Sequence, residues 1–102
     1  MHGGHKDMKN HVKVVGKTED GELVVSGIFK IFDTLGLPLD VIFDLCKTSN
    51  MLPSWIHFYD EATSYGWKDK TIVNRLETNI RDVYGKEYAD TVMCRLKQYT
   101  GV

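Results

Sequence analysis

From residue 37 to the C-terminus, apolar residues recur every three or four positions, which is the spacing of one face of an α-helix. Pro38 and Pro53 stand at two expected helix starts, where the missing proline N–H would have no intrahelical partner. Gly66 and Gly85 stand at expected helix ends, where a left-handed backbone is common. We therefore predict four helices, which begin near residue 37, at Pro53, near residue 70 and near residue 86; the last two end at about 84 and 99. The third is predicted to bury Ile72, Val73, Leu76, Ile80, Val83 and Tyr84.

The segment from 12 to 35 supports two interpretations. Apolar positions from Leu23 to Leu35 fit helical spacing, and with Ser26 as an N-cap they predict a helix over about 26–35. β-branched residues on both sides of Asp20-Gly21 predict a hairpin, so residues 12–25 form either a hairpin or an extended arm. The predicted fold class is all-α, a compact bundle of four to five short helices, with or without this small N-terminal hairpin.

Length and composition fit one small globular domain. Of the 102 residues, 42% are hydrophobic and 26% are charged, so the chain can bury a core without disulfides or a metal. No apolar run approaches the roughly 20 residues that a membrane helix needs, and the N-terminus lacks the pattern of a secretory signal. We predict a single helical domain over 13–102, located in the cytoplasm and without a membrane partner. Cys46 and Cys94 are predicted to be buried and reduced; the alternative is one disulfide between them.

The first twelve residues, MHGGHKDMKNHV, are polar and include two adjacent glycines, so we predict a mobile tail. Residues 1–11 are either native or added by cloning, with Met8 as a candidate natural start. His2, His5 and His11 with Asp7 have a spacing that zinc permits, but a tail supplies no groups to orient such ligands. We predict no metal site and no cofactor.

The net charge of −1 is unevenly distributed along the chain. Residues 1–18 carry four lysines and one aspartate, residues 19–61 carry two lysines and eight acids, and residues 62–102 carry seven basic and five acidic residues. A dedicated nucleic-acid binder usually has a stronger basic excess. The charge distribution therefore favours a protein as the partner.

The segment ATSYGWKDKTIVNR resembles, imperfectly, the helix-turn-helix motif. Ala62 supplies the small residue where two helices cross, Gly66 the turn, and Ile72 the aliphatic residue that packs back onto the first helix. Glu61, where an apolar residue is expected, and Arg75, at a position that usually faces the core, depart from the motif. The alternative is a plain helical corner in which Gly66 is a C-cap.

If this segment reads DNA, polar residues at the start of its second helix and beyond contact phosphates or base edges. A homodimer that places two such helices about one DNA turn apart would fit this hypothesis. The DNA-binding residues predicted under it are Lys68, Lys70, Thr71, Asn74, Arg75 and Arg81.

Two surface features favour protein binding instead. Asp40 and Asp44 are four residues apart on one helix face, where they repel each other and either solvate the surface or meet a basic partner. Tyr65 and Trp67 lie at a helix end beside basic groups, a combination that suits a binding hot spot. The partner-binding residues predicted in this way are Asp40, Asp44, Asp60, Glu61, Tyr65, Trp67 and Lys68.

The sequence gives little support for catalysis. It contains no phosphate-binding glycine loop, neither cysteine has an evident histidine partner, and His57, predicted to be a partly buried packing residue, has no nucleophile to activate. We therefore predict a small non-catalytic regulatory or adaptor module that binds a protein, of the kind that mobile genetic elements often encode. The alternative is a DNA-binding transcriptional regulator with a helix-turn-helix around Ala62–Leu76.

Overall fold

The computed structural model describes residues 11–101, which form five helices and a small three-stranded sheet. The elements in chain order are β1 (Lys13–Lys17), β2 (Leu23–Ser26), α1 (Ile28–Leu35), α2 (Leu39–Thr48), β3 (Met51–Pro53), α3 (Trp55–Ser64), α4 (Asp69–Tyr84) and α5 (Lys86–Thr100). The predicted number of helices is confirmed, but the protein is mostly helical rather than all-α, because its sheet is larger than the predicted hairpin. Among the described helices, none has the length and apolar character needed to span a membrane.

The sheet has the strand order β1-β2-β3. The predicted hairpin is present, because β1 and β2 pair antiparallel with Val14 opposite Val25. β3 pairs parallel with β2, with Leu23 opposite Met51. This third strand corrects the prediction that Pro53 opens a helix: Pro53 ends β3, and α3 begins two residues later.

Two helix starts also differ from the predicted ones. α1 begins at Ile28 after Gly27, whose φ of 93° is left-handed, and Ser26 belongs to β2. α3 is capped by Ser54, whose Oγ accepts a hydrogen bond from the N–H of His57 at 3.4 Å. The helix ends lie within one or two residues of the predicted glycine stops.

The core is formed by the five helices together with Val25 of β2 and Met51 of β3. Ile72, Leu76 and Ile80 of the predicted inner face of α4 are fully buried, whereas Val73, Val83 and Tyr84 are only partly buried and pack against the core. Phe58 of α3 lies at the centre, with its ring centroid 5.4 Å from that of Phe29 in α1 and 6.4 Å from that of Phe43 in α2. Such edge-to-face contacts add to the stabilisation from burial.

The two cysteines have different environments, and both are free thiols. Cys46 is buried as predicted, and burial raises the pKa of its thiol to about 12. Cys94 is exposed, so its predicted burial was wrong. The buried face of α5 consists of Ala89, Val92, Met93 and Leu96, and Cys94 lies one position beyond this face.

The predicted tail falls mostly outside the described residues, and so do His2, His5 and Asp7. His11 is described and exposed. Within residues 11–101, no group of three or more histidine, cysteine, aspartate or glutamate side chains is arranged to hold a metal ion.

Candidate protein-binding surface

Helices α2 and α4 enclose an open groove that combines aliphatic and acidic side chains, with a volume of about 360 Å³. Val41, which is 41% exposed, and the partly buried Leu45 and Val83 provide its apolar surface. The residues that line the groove are Asp40, Val41, Asp44 and Leu45 from α2, with Asp82 and Val83 from α4. An apolar strip is therefore accompanied by three carboxylates.

The spacing of residues along α2 creates one side of this acidic groove. Asp40 and Asp44 are four residues apart, as are Val41 and Leu45, so each pair lies along one line of the helix surface. The buried residues of α2 are Leu39, Ile42, Phe43 and Cys46. The helix is thus anchored in the core while it presents both pairs to the groove.

Contacts between side chains and backbone fix the two walls of the acidic groove relative to each other. Lys47 Nζ of α2 donates a hydrogen bond to the carbonyl of Val83 at 3.1 Å. The hydroxyl of Tyr84 donates to the carbonyl of Phe43 at 3.3 Å. Lys47 also brings one positive charge beside Val83, which offsets only part of the negative charge of the three carboxylates. The groove is therefore preformed in the free protein.

The three groove carboxylates have no hydrogen bond or ion pair within residues 11–101. Asp40 lies in the first turn of α2, where the helix dipole stabilises an anion. Asp44 repels Asp40, and Asp82 lies in the last turn of α4, where the dipole disfavours an anion. Two of the three charges are therefore unfavourable in the isolated chain, and a bound cation would relieve both.

Asp82 and Val83 line the groove, although the sequence pattern predicts no partner-binding role for Asp82 and predicts that Val83 is buried. From the sequence alone, Asp82 belongs to the alternating charges of a solvated helix. The dipeptide Asp-Val occurs at both 40–41 and 82–83. This repetition indicates a shared surface only once α2 and the C-terminal end of α4 are known to be neighbours.

The corner between α3 and α4 is closed by a Schellman motif. Gly66 has a φ of 93°, its N–H donates to the carbonyl of Thr63 at 2.9 Å, and the N–H of Trp67 donates to the carbonyl of Ala62 at 3.1 Å. Ala62 and Ile72 are both fully buried. These contacts fit a helix-turn-helix and a plain corner equally well.

Trp67 belongs to an aromatic cluster at this corner. Its ring centroid lies 5.2 Å from that of Phe29 and 5.8 Å from that of Phe32, in edge-to-face contacts. The guanidinium carbon of Arg75 lies 5.3 Å from the Trp67 ring centroid, a distance at which a cation–π interaction is favourable. Tyr65 also packs on Phe29 but is 53% exposed. The partly buried Trp67 is thus held by its own fold, whereas Tyr65 is open to solvent.

The predicted DNA-binding residues have unlike environments. Arg75, although exposed, lies over Trp67, and Arg81 Nη2 forms an ion pair with Glu77 Oε2 at 3.1 Å. Asp69, between two lysines in sequence, accepts a hydrogen bond from Tyr59 at 2.6 Å. Four of the predicted residues are exposed at the start of α4: Lys68, Lys70, Thr71 and Asn74. The exposed Asp69 offsets part of the lysine charge there, so the positive charge along α4 is interrupted at both ends.

Asp60 and Glu61 do not line the acidic groove and make contacts within the fold. The carboxylate of Asp60 accepts from the hydroxyl of Tyr99 at 2.9 and 3.1 Å. Glu61 Oε2 accepts from the N–H of Gly27 at 2.9 Å, at the start of α1. Its Oε1 is buried and has no partner in the described part of the chain. The acidic middle of the sequence is thus divided between the groove and these contacts of α3.

His57 is exposed, which corrects its predicted partial burial. It lies in the first turn of α3, whose buried residues are Phe58 and Ala62. Its Nδ1 lies 2.6 Å from Ser54 Oγ, so the ring takes part in the N-terminal cap of the helix.

No protein-family model matches this chain, and no solved structure matches it at a significant level. The function must therefore be inferred from the geometry of the acidic groove and the corner.

Proposed function

We propose that this protein is a small, non-catalytic regulatory or adaptor module that binds another protein through the acidic groove between α2 and α4. The observation that carries the proposal is the set of three carboxylates, Asp40, Asp44 and Asp82, which lack internal partners and surround the exposed Val41. The partner segment with matching chemistry is a basic amphipathic helix, whose aliphatic residues contact the apolar strip while its lysines or arginines meet the carboxylates. The free thiols of Cys46 and Cys94 suit a reducing cytoplasm, which we include in the proposal.

DNA binding is the second candidate function. It is supported by the exposed side chains at the start of α4, which are Lys68, Lys70, Thr71 and Asn74. In a recognition helix, side chains at this position contact the major groove of DNA. The ion pair of Arg81 with Glu77 and the position of Arg75 over Trp67 favour protein binding instead, because those two cations already have intramolecular partners.

A titration with a defined peptide tests the first proposal. The probe is a fluorescently labelled amphipathic helix of leucine and lysine, added to the full chain at physiological salt. The groove variant carries Asp40→Asn, Asp44→Asn and Asp82→Asn. The control variant carries Asp20→Asn, Asp33→Asn and Glu87→Gln, which change the net charge equally at exposed positions outside the groove.

We expect the groove variant to bind the peptide about tenfold more weakly than the wild type and the control variant to bind it nearly as well. An equal loss in both variants would mean that net charge alone attracts the peptide, and would reject the acidic groove as the binding site. Capture from the native host with and without nuclease then distinguishes direct protein contacts from nucleic-acid bridges.

A parallel titration with duplex DNA tests the alternative. Lys68→Glu with Lys70→Glu is a sharper variant than one that includes Arg75, because these lysines are exposed and Arg75 also packs on Trp67. DNA-binding function predicts salt-dependent binding that this variant abolishes while the fold is retained. If the wild type does not bind duplex DNA at low salt, the alternative is excluded.

A further inference from the structure

A second pocket lies between the sheet, the start of α3 and α5, and it shares no lining residue with the acidic groove. Its volume is about 250 Å³. Ile56, at 39% exposure, is its most accessible apolar wall residue. Among the described residues, no aspartate or glutamate lines it. Its apolar walls are formed by Val24, Leu52, Ile56, Val92 and Leu96.

Three hydroxyl groups line this apolar pocket, and that of Ser54 lies 2.6 Å from His57 Nδ1. Thr18 Oγ1 accepts from a backbone N–H at 3.0 Å, and its own proton has no acceptor within residues 11–101. Tyr88 Oη accepts from Trp55 Nε1 at 3.0 Å, but no acceptor within residues 11–101 takes its own proton. The hydroxyl of Tyr88 can therefore donate to a ligand in the pocket.

Arg95 supplies a further available donor at the same pocket. It is exposed, and its guanidinium makes no hydrogen bond or ion pair in the described part of the chain. Burial raises the pKa of Tyr88, while the hydrogen bond from Trp55 and the positive charge of Arg95 oppose that rise. Tyr88 and Arg95 are seven residues apart on α5, which places them on one face of the helix about two turns apart. Both line this pocket, so one anion bound in it can contact both groups.

We propose that this apolar pocket binds a small apolar carboxylate, whose aliphatic body contacts the walls while Arg95 and the Tyr88 hydroxyl bind its two oxygens. A guanidinium matches a carboxylate with two parallel N–H donors, and the pairing is stronger than a neutral hydrogen bond. The volume lies just below the range of roughly 300–1,000 Å³ that is usual for drug-sized ligands. The pocket therefore suits a medium-chain acid.

Octanoate is the test ligand, and octanol is its uncharged analogue of equal chain length. Each is titrated into the full chain and followed by calorimetry and by NMR shifts of backbone amides. We expect saturable one-to-one binding of octanoate, about tenfold tighter than that of octanol, with shifts centred on Leu52, Ile56 and Val92. Equal binding of the two compounds, or no saturation with octanoate, overturns the proposal.

One arginine variant and one lysine variant of α5 distinguish direct contact with the ligand from long-range electrostatic attraction. Arg95→Gln should weaken octanoate binding about tenfold. Lys97→Gln removes the same charge from the same helix but outside the pocket, and should leave binding unchanged. If both variants weaken binding equally, Arg95 is not a ligand contact and the proposal fails.

Two further variants keep the test independent of Arg95. Tyr88→Phe removes an available hydroxyl and should weaken binding about threefold, while Ile56→Asp adds a carboxylate to an exposed wall position and should abolish it. Normal octanoate binding by Ile56→Asp contradicts the site. N-acetyl-leucinate imitates a protein C-terminus and should bind more weakly than octanoate; the reverse order would overturn the assignment to a free small acid.

Discussion

The N-terminal end of α4 lies at the Gly66 corner, and its C-terminal end borders the acidic groove. At the corner, the most conspicuous side chains are already bound within the fold: Trp67 packs against two phenylalanine rings, and Arg75 lies over Trp67. At the groove, Asp82 and the two aspartates of α2 have no partner within residues 11–101. At the N-terminal end of α4 the surface side chains therefore pack within the fold, whereas at its C-terminal end the charged side chains have no partner among the described residues.

This difference indicates which surface is better suited to a partner. A side chain that already contacts its own fold loses part of that stabilisation when it turns to a partner. Asp44 and Asp82 lose no internal contact when a cation approaches, and their repulsion or unfavourable dipole interaction is relieved. Exposed Val41 adds apolar area that a partner can bury. The acidic groove is therefore the surface that we propose for the partner, whereas Trp67 and Arg75 at the corner already have contacts within the fold.

The substitution with the largest expected effect on this comparison is Trp67→Ala. We expect it to lower the free energy of unfolding by about 2–3 kcal/mol, somewhat less than a fully buried aromatic residue would, because Trp67 is partly exposed. Urea unfolding followed by far-UV circular dichroism measures the change, with Trp67→Phe as the conservative control. A loss below about 0.5 kcal/mol would show that the indole is not structural and would return Trp67 to the partner-binding candidates.

Glu61→Ala is expected to have the next largest effect. It leaves the N–H of Gly27 without its acceptor and removes a carboxylate from the start of α1, so the free energy of unfolding should fall by about 1–2 kcal/mol. Glu61→Gln keeps an acceptor oxygen and should lose less. Equal unfolding midpoints for wild type and Glu61→Ala would contradict this structural role and leave Glu61 as a surface residue.

Arg75→Gln tests the cation–π contact at the corner. The guanidinium lies 5.3 Å from the Trp67 ring centroid and 6.0 Å from that of Phe32, so we expect a loss of about 0.5–1 kcal/mol in unfolding free energy. Lys70→Gln, at an exposed position of the same helix, is the matched control and should not lower stability, because a cation in the first turn of α4 is disfavoured by the helix dipole. Equal effects of the two variants would mean that the stacking contributes nothing beyond net charge.

The helices could be predicted because the signals lie within each segment: apolar residues recur at helical spacing, and residues that end a helix follow. Ile72, Leu76 and Ile80 repeat at helical spacing before Gly85, and all three are buried as expected. β3 could not be predicted, because three residues ending in Pro53 show no period. The strand exists through parallel pairing with β2, which lies 28 positions earlier at the pair Leu23 and Met51.

The candidate site shows the same division between local and non-local information. Asp40 and Asp44 were found from their spacing on one helix, whereas Asp82 joins them only through the packing of α4 beside α2. The acceptor role of Glu61 toward Gly27 spans 34 positions, so the sequence, which places Glu61 in an acidic segment, predicts only a surface residue. Cys94 lies next to the buried face of α5. A prediction of that face that is wrong by one residue therefore assigns an exposed thiol to the core.

The smallest and most specific test concerns the unfavourable charges of the acidic groove. Asp44→Asn removes the repulsion with Asp40, and Asp82→Asn removes an anion from the end of α4, so each should raise the free energy of unfolding by about 0.3–0.5 kcal/mol at low salt. Asp40→Asn removes the same repulsion but also a favourable dipole interaction, and should change stability little. The gains should shrink in salt, since these charges are exposed to solvent. If Asp44→Asn and Asp82→Asn destabilise the protein instead, the two carboxylates have intramolecular roles, and the contrast between the two ends of α4 disappears. If they stabilise the free protein while weakening the amphipathic peptide, the groove charges are retained at the expense of stability, which is expected of residues that serve binding.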